Sequence, residues 1–235
     1  MRYQWAAATH RGRVRNNNED SFAPDSSGRS EGPVVLMVAD GMGGAIGGEI
    51  ASNLAVKYAS AGSGTPTQRV KKANKAVVER SLSEPGLAGM GTTLTLIEFG
   101  GDGIARIGHV GDSRAYVWHA GAIEQLTDDH TVVAEQLAAG VISPADAVSH
   151  PQRSMLTRVL GISPEVEVDS YGIQTYPGDR LLICSDGLTN MVEDERLAEL
   201  LSEGTAEEVV WAMIEEANRA GGHDNITVVV VDVEE

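Results

Sequence analysis

The sequence predicts a mixed α+β fold built in layers, with antiparallel sheets. Its β-type apolar runs come mostly in neighbouring groups and do not alternate strictly with helices, as they would in a doubly wound sheet. The helical patterns between these groups carry their own capping residues. The 235 residues, 42% of them hydrophobic, are enough for one sizeable core, and no linker divides the chain. We therefore expect a single domain over residues 1–235.

Strands are predicted where β-branched and other apolar residues run together. These runs are Tyr3–Ala8, Val34–Ala39, Thr92–Phe99, Ala105–Val110, Ala115–His119, Arg180–Cys184 and Ile226–Val231.

Helices are predicted from one-sided apolar patterns and from capping residues. One helix follows the pair Gly47-Gly48. A second begins at Thr65-Pro66, an N-cap followed by Pro at the first helical position, and runs to about Leu82. A third opens at the capping box of Thr205 and Glu208. A shorter helical insert, 130–140 and then 143–148, interrupts the strands and predicts a small surface subdomain.

Charge and composition exclude several classes of function. The formal net charge of −16 repels duplex nucleic acid and anionic membranes, so neither is an expected partner. No apolar stretch reaches the ~18 residues of a membrane span. The single cysteine, Cys184, cannot form an internal disulfide, which is typical of the reducing cytoplasm. The Arg-rich N-terminus leaves a transit peptide as the alternative to a first strand.

Carboxylates recur at the ends of the apolar strands. Asp40, Asp112 and Asp186 follow three strands, Asp224 precedes the last one, and the pair Glu19-Asp20 follows the first. A single Asp-Gly is ordinary turn chemistry, but the repetition favours a site for hard divalent cations. Mg²⁺ or Mn²⁺ suits these oxygen ligands, whereas Zn²⁺ would call for Cys or His at ligand spacing.

Two such cations ~3.5–4 Å apart activate a water and neutralise phosphate oxygens. Arg15, just before the acid pair, is then expected to bind a phosphate through its guanidinium group. Other chemistries lack their residues. None of the lysines follows a Gly, as a Walker A loop requires, and Asn190 stands where a cysteine-based phosphatase needs Arg after Cys184. No nucleophile elbow is present around Asp112.

Over nearly its whole length the chain resembles the metal-dependent type-2C Ser/Thr protein phosphatases, in the compact bacterial form. The resemblance rests on six short motifs in order and spacing: Arg15-Asn-Asn-Asn-Glu-Asp20, Asp40-Gly-Met-Gly-Gly44, Gly91-Thr-Thr93, Val110-Gly-Asp-Ser-Arg114, Ser185-Asp-Gly187 and Gly222-His-Asp-Asn225. It implies a four-layer αββα sandwich of two antiparallel sheets flanked by helices.

The resemblance also implies the roles of the site residues. Asp40 would bridge two Mn²⁺ or Mg²⁺ ions, with Asp186 and Asp224 completing the first site. The Gly41 carbonyl and Glu19, with Asp20 through water, would hold the second ion. Asp112, with Asp186, resembles the ligands of a weaker third site. Arg15 would bind the substrate phosphate. Residues 128–160 match the family's flap, a mobile segment beside the active site.

The implied activity is hydrolysis of phosphoserine or phosphothreonine in proteins, reversing a Ser/Thr kinase in signalling. The expected partners are phosphoproteins, including such a kinase or its targets, and the expected state is a cytoplasmic monomer. Two residues depart from the family pattern. Met42 stands where many eukaryotic members have His, a candidate general acid, and Asn190 stands where some relatives have an acid.

The main alternative is a catalytically silent scaffold of the same fold that binds phosphoproteins. A phosphatase of small phosphate esters or of an anti-sigma antagonist is a second. An acidic, cation-binding structural protein is a third, but it would leave Arg15 and the Gly91-Thr-Thr93 motif without a role.

Overall fold

Two antiparallel sheets face each other in the computed structural model, which describes residues 1–44, 46–61 and 63–235. The strands are β1 (Arg2–His10), β2 (Ser21–Ala23), β3 (Gly28–Ser30), β4 (Val34–Ala39), β5 (Gly41–Met42), β6 (Gly91–Thr92), β7 (Leu94–Phe99), β8 (Ile104–Val110), β9 (Arg114–His119), β10 (Ala122–Gln125), β11 (Asp169–Gln174), β12 (Arg180–Cys184) and β13 (Ile226–Glu234). The helices are α1 (Gly47–Ser60), α2 (Pro66–Ser83), α3 (Val132–Ala138), α4 (Pro144–Val148), α5 (Asp186–Thr189), α6 (Asp194–Leu201) and α7 (Ala206–Arg219), with a 3₁₀ turn at Pro85–Leu87.

The strand order defines the layers. The first sheet runs β10-β9-β12-β13-β1-β3 and the second β11-β8-β7-β4-β2, while β5 and β6 form a two-stranded ribbon. Helix α7 packs on β1 and β13 of the first sheet, and α1 and α2 pack on the second. The predicted four-layer αββα sandwich is therefore confirmed.

Apolar residues fill the space between the sheets and the space under each helical layer. On β13, Val229 and Val231 point between the sheets, whereas Val228 and Val230 point towards α7. On β4, Leu36 belongs to the layer between the sheets. Because both faces of these strands are buried, they appear in the sequence as continuous apolar runs instead of an alternating pattern.

Most predicted elements are present within a residue or two of their expected ends. Thr65 and Thr205 both form complete capping boxes. The predicted strand Thr92–Phe99 is wrong as one element, because the chain passes from β6 to β7 at Thr93. The insert helix begins at Val132, after its N-cap Thr131, and not at residue 130.

Several short elements are absent from the prediction. Strands β2, β3 and β5 are two or three residues long and owe their conformation to pairing with neighbours distant in sequence. Helix α5 has only four residues. Such short segments carry too little periodic pattern to be recognised locally. No helix of the described residues is long and apolar enough to cross a membrane.

The antiparallel register places the functional segments at one edge of the sandwich. The end of β1 lies beside the start of β13, where His10 faces Ile226, and the end of β12 is nearby, with Cys184 opposite Val228. In the second sheet the end of β8 pairs with the start of β7, next to the end of β4. Loops that are far apart in sequence therefore meet there.

Candidate active site

A cleft of about 890 Å³ opens at this edge, and residues 150–156, within the predicted flap (residues 128–160), form part of its wall. It brings together most of the site residues predicted from the sequence: Arg15, Glu19, Asp40, Gly41, Asp112, Asp186 and Asp224. Asp20 does not line the cleft but lies buried behind it. The flanking Met42 and His150 also line the cleft.

Asp40 is held through its backbone at the point where β4 ends. Its N–H donates to the Thr93 hydroxyl at 2.9 Å, and its carbonyl accepts from the Thr93 N–H at 2.9 Å and from the Thr92 hydroxyl at 2.8 Å. The Thr93 hydroxyl also contacts the hydroxyl of Ser113 at 2.8 Å. Because the backbone is fixed in this way, the Asp40 carboxylate is free to face the cleft.

Two hydroxyl groups at the edge of the first sheet anchor the side chain of Asp20. Its Oδ2 accepts hydrogen bonds from Ser185 at 2.7 Å and from Thr227 at 2.6 Å. Its Oδ1 is buried and has no hydrogen-bond partner among the described residues. An unsatisfied carboxylate oxygen in such a position is costly unless a cation approaches it.

Arg15 and Asp224 form an ion pair at the mouth of the cleft, with 2.6 Å between Nη2 and Oδ2. Asn225 holds the surrounding loops together. Its side-chain oxygen accepts from the N–H of Glu19 at 2.8 Å, and its amide donates to the carbonyls of Arg11 at 3.0 Å and Asn17 at 2.9 Å. One amide side chain thus fixes the loop that carries both Arg15 and Glu19.

Asp186 is the first residue of helix α5. The side-chain amide of Asn190, one turn later, donates a hydrogen bond to Oδ2 of Asp186 at 2.9 Å. The other oxygen of Asp186, Oδ1, is buried and is unpartnered within the described part of the chain. Asn190, noted as a departure from the family pattern, therefore compensates part of the Asp186 charge by a hydrogen bond.

Gly41 and Gly48 allow the backbones of two loops to touch. A Cβ on Gly41 would overlap the Gly48 carbonyl, and a Cβ on Gly48 would overlap the Glu19 carboxylate. The Gly41 N–H donates to the carbonyl of Glu19 at 3.2 Å. This close approach keeps the Gly41 peptide and the Glu19 side chain in one corner of the cleft.

Burial and mutual repulsion shift the ionisation of these acids. Burial, followed by the nearby charges of Asp20, Asp186, Asp112 and Asp224, raises the pKa of Asp40 well above its usual range. Burial raises the pKa of Asp20 to about 7, although the hydroxyl bonds oppose the shift. Burial and the charge of Asp186 raise the pKa of Asp112 to about 8.

These acids fit divalent cations in their chemistry. In the described residues, no three acid, His or Cys side chains are yet arranged to hold an ion, and the charges of Asp224 and Asp186 are met by Arg15 and Asn190 instead. Yet two buried carboxylate oxygens have no hydrogen-bond partner in the part of the chain that the structure describes, and several acids resist ionisation. Hard oxygen ligands in this condition suit Mg²⁺ or Mn²⁺.

A buried histidine pair supports the turn that carries Asp112. His130 accepts from the N–H of Gly111 through Nδ1 at 3.1 Å and donates its own backbone N–H to the Gly111 carbonyl at 2.8 Å. Its Nε2 bonds to Asp169 at 3.1 Å, and its ring packs on His109 with 4.7 Å between centroids. The start of segment 128–160 is thereby joined to the Gly111–Asp112 turn.

Sequence reasoning missed this supporting set: Ser113, His130, Ser185, Asn190 as a hydrogen-bond donor, Thr227 and the bridging role of Asn225. Most of these residues stand inside or beside the recognised motifs, so the motifs were a usable signal. Their partners could not be inferred, since Asp20 and Thr227 are 207 positions apart.

Comparison with known proteins places this geometry in a family. The sequence model of protein phosphatase 2C matches residues 8–220. The Serine/threonine phosphatase stp of Listeria monocytogenes serotype 4b is 40% identical, over 95% of this chain and 93% of that protein. The crystal structure of Mycobacterium tuberculosis PstP/Ppp superposes with a TM-score of 0.90 at 40% identity and covers all of both chains. A structure of the PstP catalytic domain with two manganese ions gives a TM-score of 0.87 at 37% identity, covering 100% of this chain and 99% of that one.

Proposed function

This chain belongs to the protein phosphatase 2C family, and on that basis we propose how its own residues perform the reaction. The protein is a metal-dependent protein-serine/threonine phosphatase that acts on phosphoproteins in signalling. The observation that carries this function is the group of carboxylates, among them Asp40 and Asp186, that line an open cleft with Arg15 at its mouth, together with buried oxygens of Asp186 and Asp20 that have no hydrogen-bond partner among the described residues.

The cofactor is Mn²⁺ or Mg²⁺. Asp40, Asp186 and Asp224 would hold one ion, and Asp40, Glu19 and the Gly41 carbonyl, with Asp20 behind them, would hold the other. When bound, the ions supply an activated water and neutralise the phosphate oxygens. Asp112 with Asp186 would form a weaker third site. Asn190 holds Asp186 in place by a hydrogen bond, and His130 holds the residue before Asp112.

Arg15 would bind the phosphate of the substrate. Its side chain is more than half exposed at the cleft mouth, and its present partner is Asp224. With Asp224 engaged as a metal ligand, the guanidinium would be free to form two parallel hydrogen bonds with a phosphate. The backbone of Asp40 is held by Thr92 and Thr93. Asp40 would therefore keep the reacting phosphate in a fixed position relative to Arg15.

The finer organisation is also our proposal. Residues 1–235 would form one catalytic domain, with residues 128–160 as the flap. We propose that the substrates include a Ser/Thr kinase or its targets, and that the protein works as a monomer in the cytoplasm. The buried free thiol of Cys184 supports a reducing compartment.

The test is phosphate release from a phosphothreonine peptide by the purified protein with Mn²⁺, with Mg²⁺ and with EDTA. We expect turnover with either metal and none with EDTA. A folded protein that binds the phosphopeptide but releases no phosphate with either metal would contradict the enzymatic function and support the scaffold alternative.

A further inference from the structure

Most arginines of this chain are ion-paired with a carboxylate. In the regions that the structure describes, those without such a partner are Arg11, Arg13 and Arg153. Arg153 lines the active-site cleft, and Arg11 and Arg13 belong to the loop that carries Arg15 into it. In a protein of net charge −16, three unpaired arginines thus stand in the active-site cleft or in the loop that enters it, while the lysines without a carboxylate partner among the described residues, Lys57, Lys71 and Lys72, lie on α1 and α2.

The loop that carries Arg11 and Arg13 is rigidly placed. The carbonyl of Gly222 accepts from the N–H of Arg13 at 2.7 Å and from that of Val14 at 3.3 Å. Gly12 has a φ of +76°, and a Cβ there would overlap the carbonyl of Asp224. Arg13 and Arg15 are two residues apart in sequence, so their Cα atoms lie within about 7.6 Å of each other, the length of two consecutive peptide units.

Arg13 does not line the cleft but lines a neighbouring groove of about 510 Å³. One face of α7 forms the other wall, where Trp211, Glu215 and Arg219 follow each other at four-residue spacing. Trp211 is 49% exposed. Arg219 is already paired with Glu216, so Glu215 is the acid that faces Arg13 across the groove without an ion pair among the described side chains.

We propose that Arg11, Arg13 and Trp211 bind the substrate polypeptide next to its phosphorylated residue and select substrates with an acidic and an apolar side chain there. This inference rests on the proposed phosphoprotein activity. Arg11 and Arg13 precede the phosphate-binding Arg15 by four and two residues in the same loop, and their unpaired guanidinium groups complement acidic flanking residues, which the rest of the surface repels. Trp211 offers an apolar wall for the neighbouring side chain.

The experiment compares kcat/KM for two phosphothreonine peptides with Mn²⁺ at low salt. One carries Asp or Glu and Leu beside the phosphothreonine, and the other has Asn or Gln in place of each acid. We expect about a fivefold preference for the acidic peptide, from two exposed ion pairs, and a smaller one at 0.5 M salt. Arg11→Glu/Arg13→Glu should abolish the preference, and Trp211→Ala should weaken binding of both peptides.

The matched control is Lys71→Glu/Lys75→Glu, which makes the same change in net charge on exposed positions of α2. It should keep the preference and hydrolyse p-nitrophenyl phosphate at the wild-type rate, and for Arg11→Glu/Arg13→Glu the readout is the ratio of kcat/KM between the two peptides. Equal rates on the two peptides for the wild-type protein, or a preference that survives Arg11→Glu/Arg13→Glu, would overturn the inference and leave the phosphatase function intact. Hydrolysis of p-nitrophenyl phosphate but of no phosphopeptide would instead overturn the proposed function itself.

Discussion

Replacing Asp20 by Asn should stabilise the metal-free protein while weakening its response to metal. Asp20 is buried and has a pKa of about 7 in the fold against 3.8 ordinarily, so its ionisation costs the metal-free fold about 4 kcal/mol at pH 7.5. The substituted amide would still accept hydrogen bonds from Ser185 and Thr227, but its N–H₂ group would replace the unpartnered Oδ1, at a cost of ~1–3 kcal/mol. We expect a net gain of about 1–3 kcal/mol in the free energy of unfolding.

The pH dependence has a definite sign. Folding raises the pKa of Asp20. The free-energy cost of ionising it in the wild-type fold is therefore absent below pH ~4 and fully present above pH ~7. The advantage of Asp20→Asn should therefore shrink by about 2 kcal/mol between pH 7.5 and pH 5.5. Saturating Mn²⁺ should reverse the order of stability, since the ions bind the native wild-type acids more tightly.

Urea unfolding in EDTA at the two pH values, repeated with Mn²⁺ at pH 7.5, measures these changes. Asp25→Asn is the matched control, because it makes the same charge change at an exposed position on the loop after β2. A variant less stable than the wild type in EDTA at pH 7.5, or a gain that does not depend on pH, would refute the reasoning about the buried charge.

Three further changes test other parts of the site. Asp186→Ala should abolish phosphopeptide hydrolysis, and retention of more than a few per cent of kcat would contradict its role as a metal ligand. Arg15→Ala should mainly raise KM, about tenfold or more for the loss of a charged hydrogen-bonding group, whereas an unchanged KM would argue against phosphate binding. Burial and then the charge of His130 lower the pKa of His109 to about 4, so the folded protein keeps it neutral and loses stability as the pH falls from about 6.5. The stability difference between wild type and His109→Gln should accordingly fall by about 2 kcal/mol from pH 7.5 to pH 5.0 in urea unfolding, and a constant difference would exclude this effect.

The sequence alone determined the elements whose signals are local. The strands of the two-sided core appear as continuous apolar runs because both of their faces are buried, as in β4 and β12. The ends of α2 and α7 follow from Thr65 and Thr205, which satisfy backbone N–H groups within their own first turn. The acids of the site stood out because they recur where such strands end.

Tertiary structure decided how those acids meet and what surrounds them. β1 pairs with β13 from the opposite end of the chain, and this pairing brings Thr227 to Asp20 and Asn225 to Glu19. It also buries Asp20 behind the cleft that the other predicted site residues line. A pattern in one sequence reports the periodicity of a segment and the caps of a helix, but it carries no information on which distant hydroxyl or amide satisfies a buried charge. That choice follows from the register of the sheets, because the register sets which loops share one edge of the sandwich.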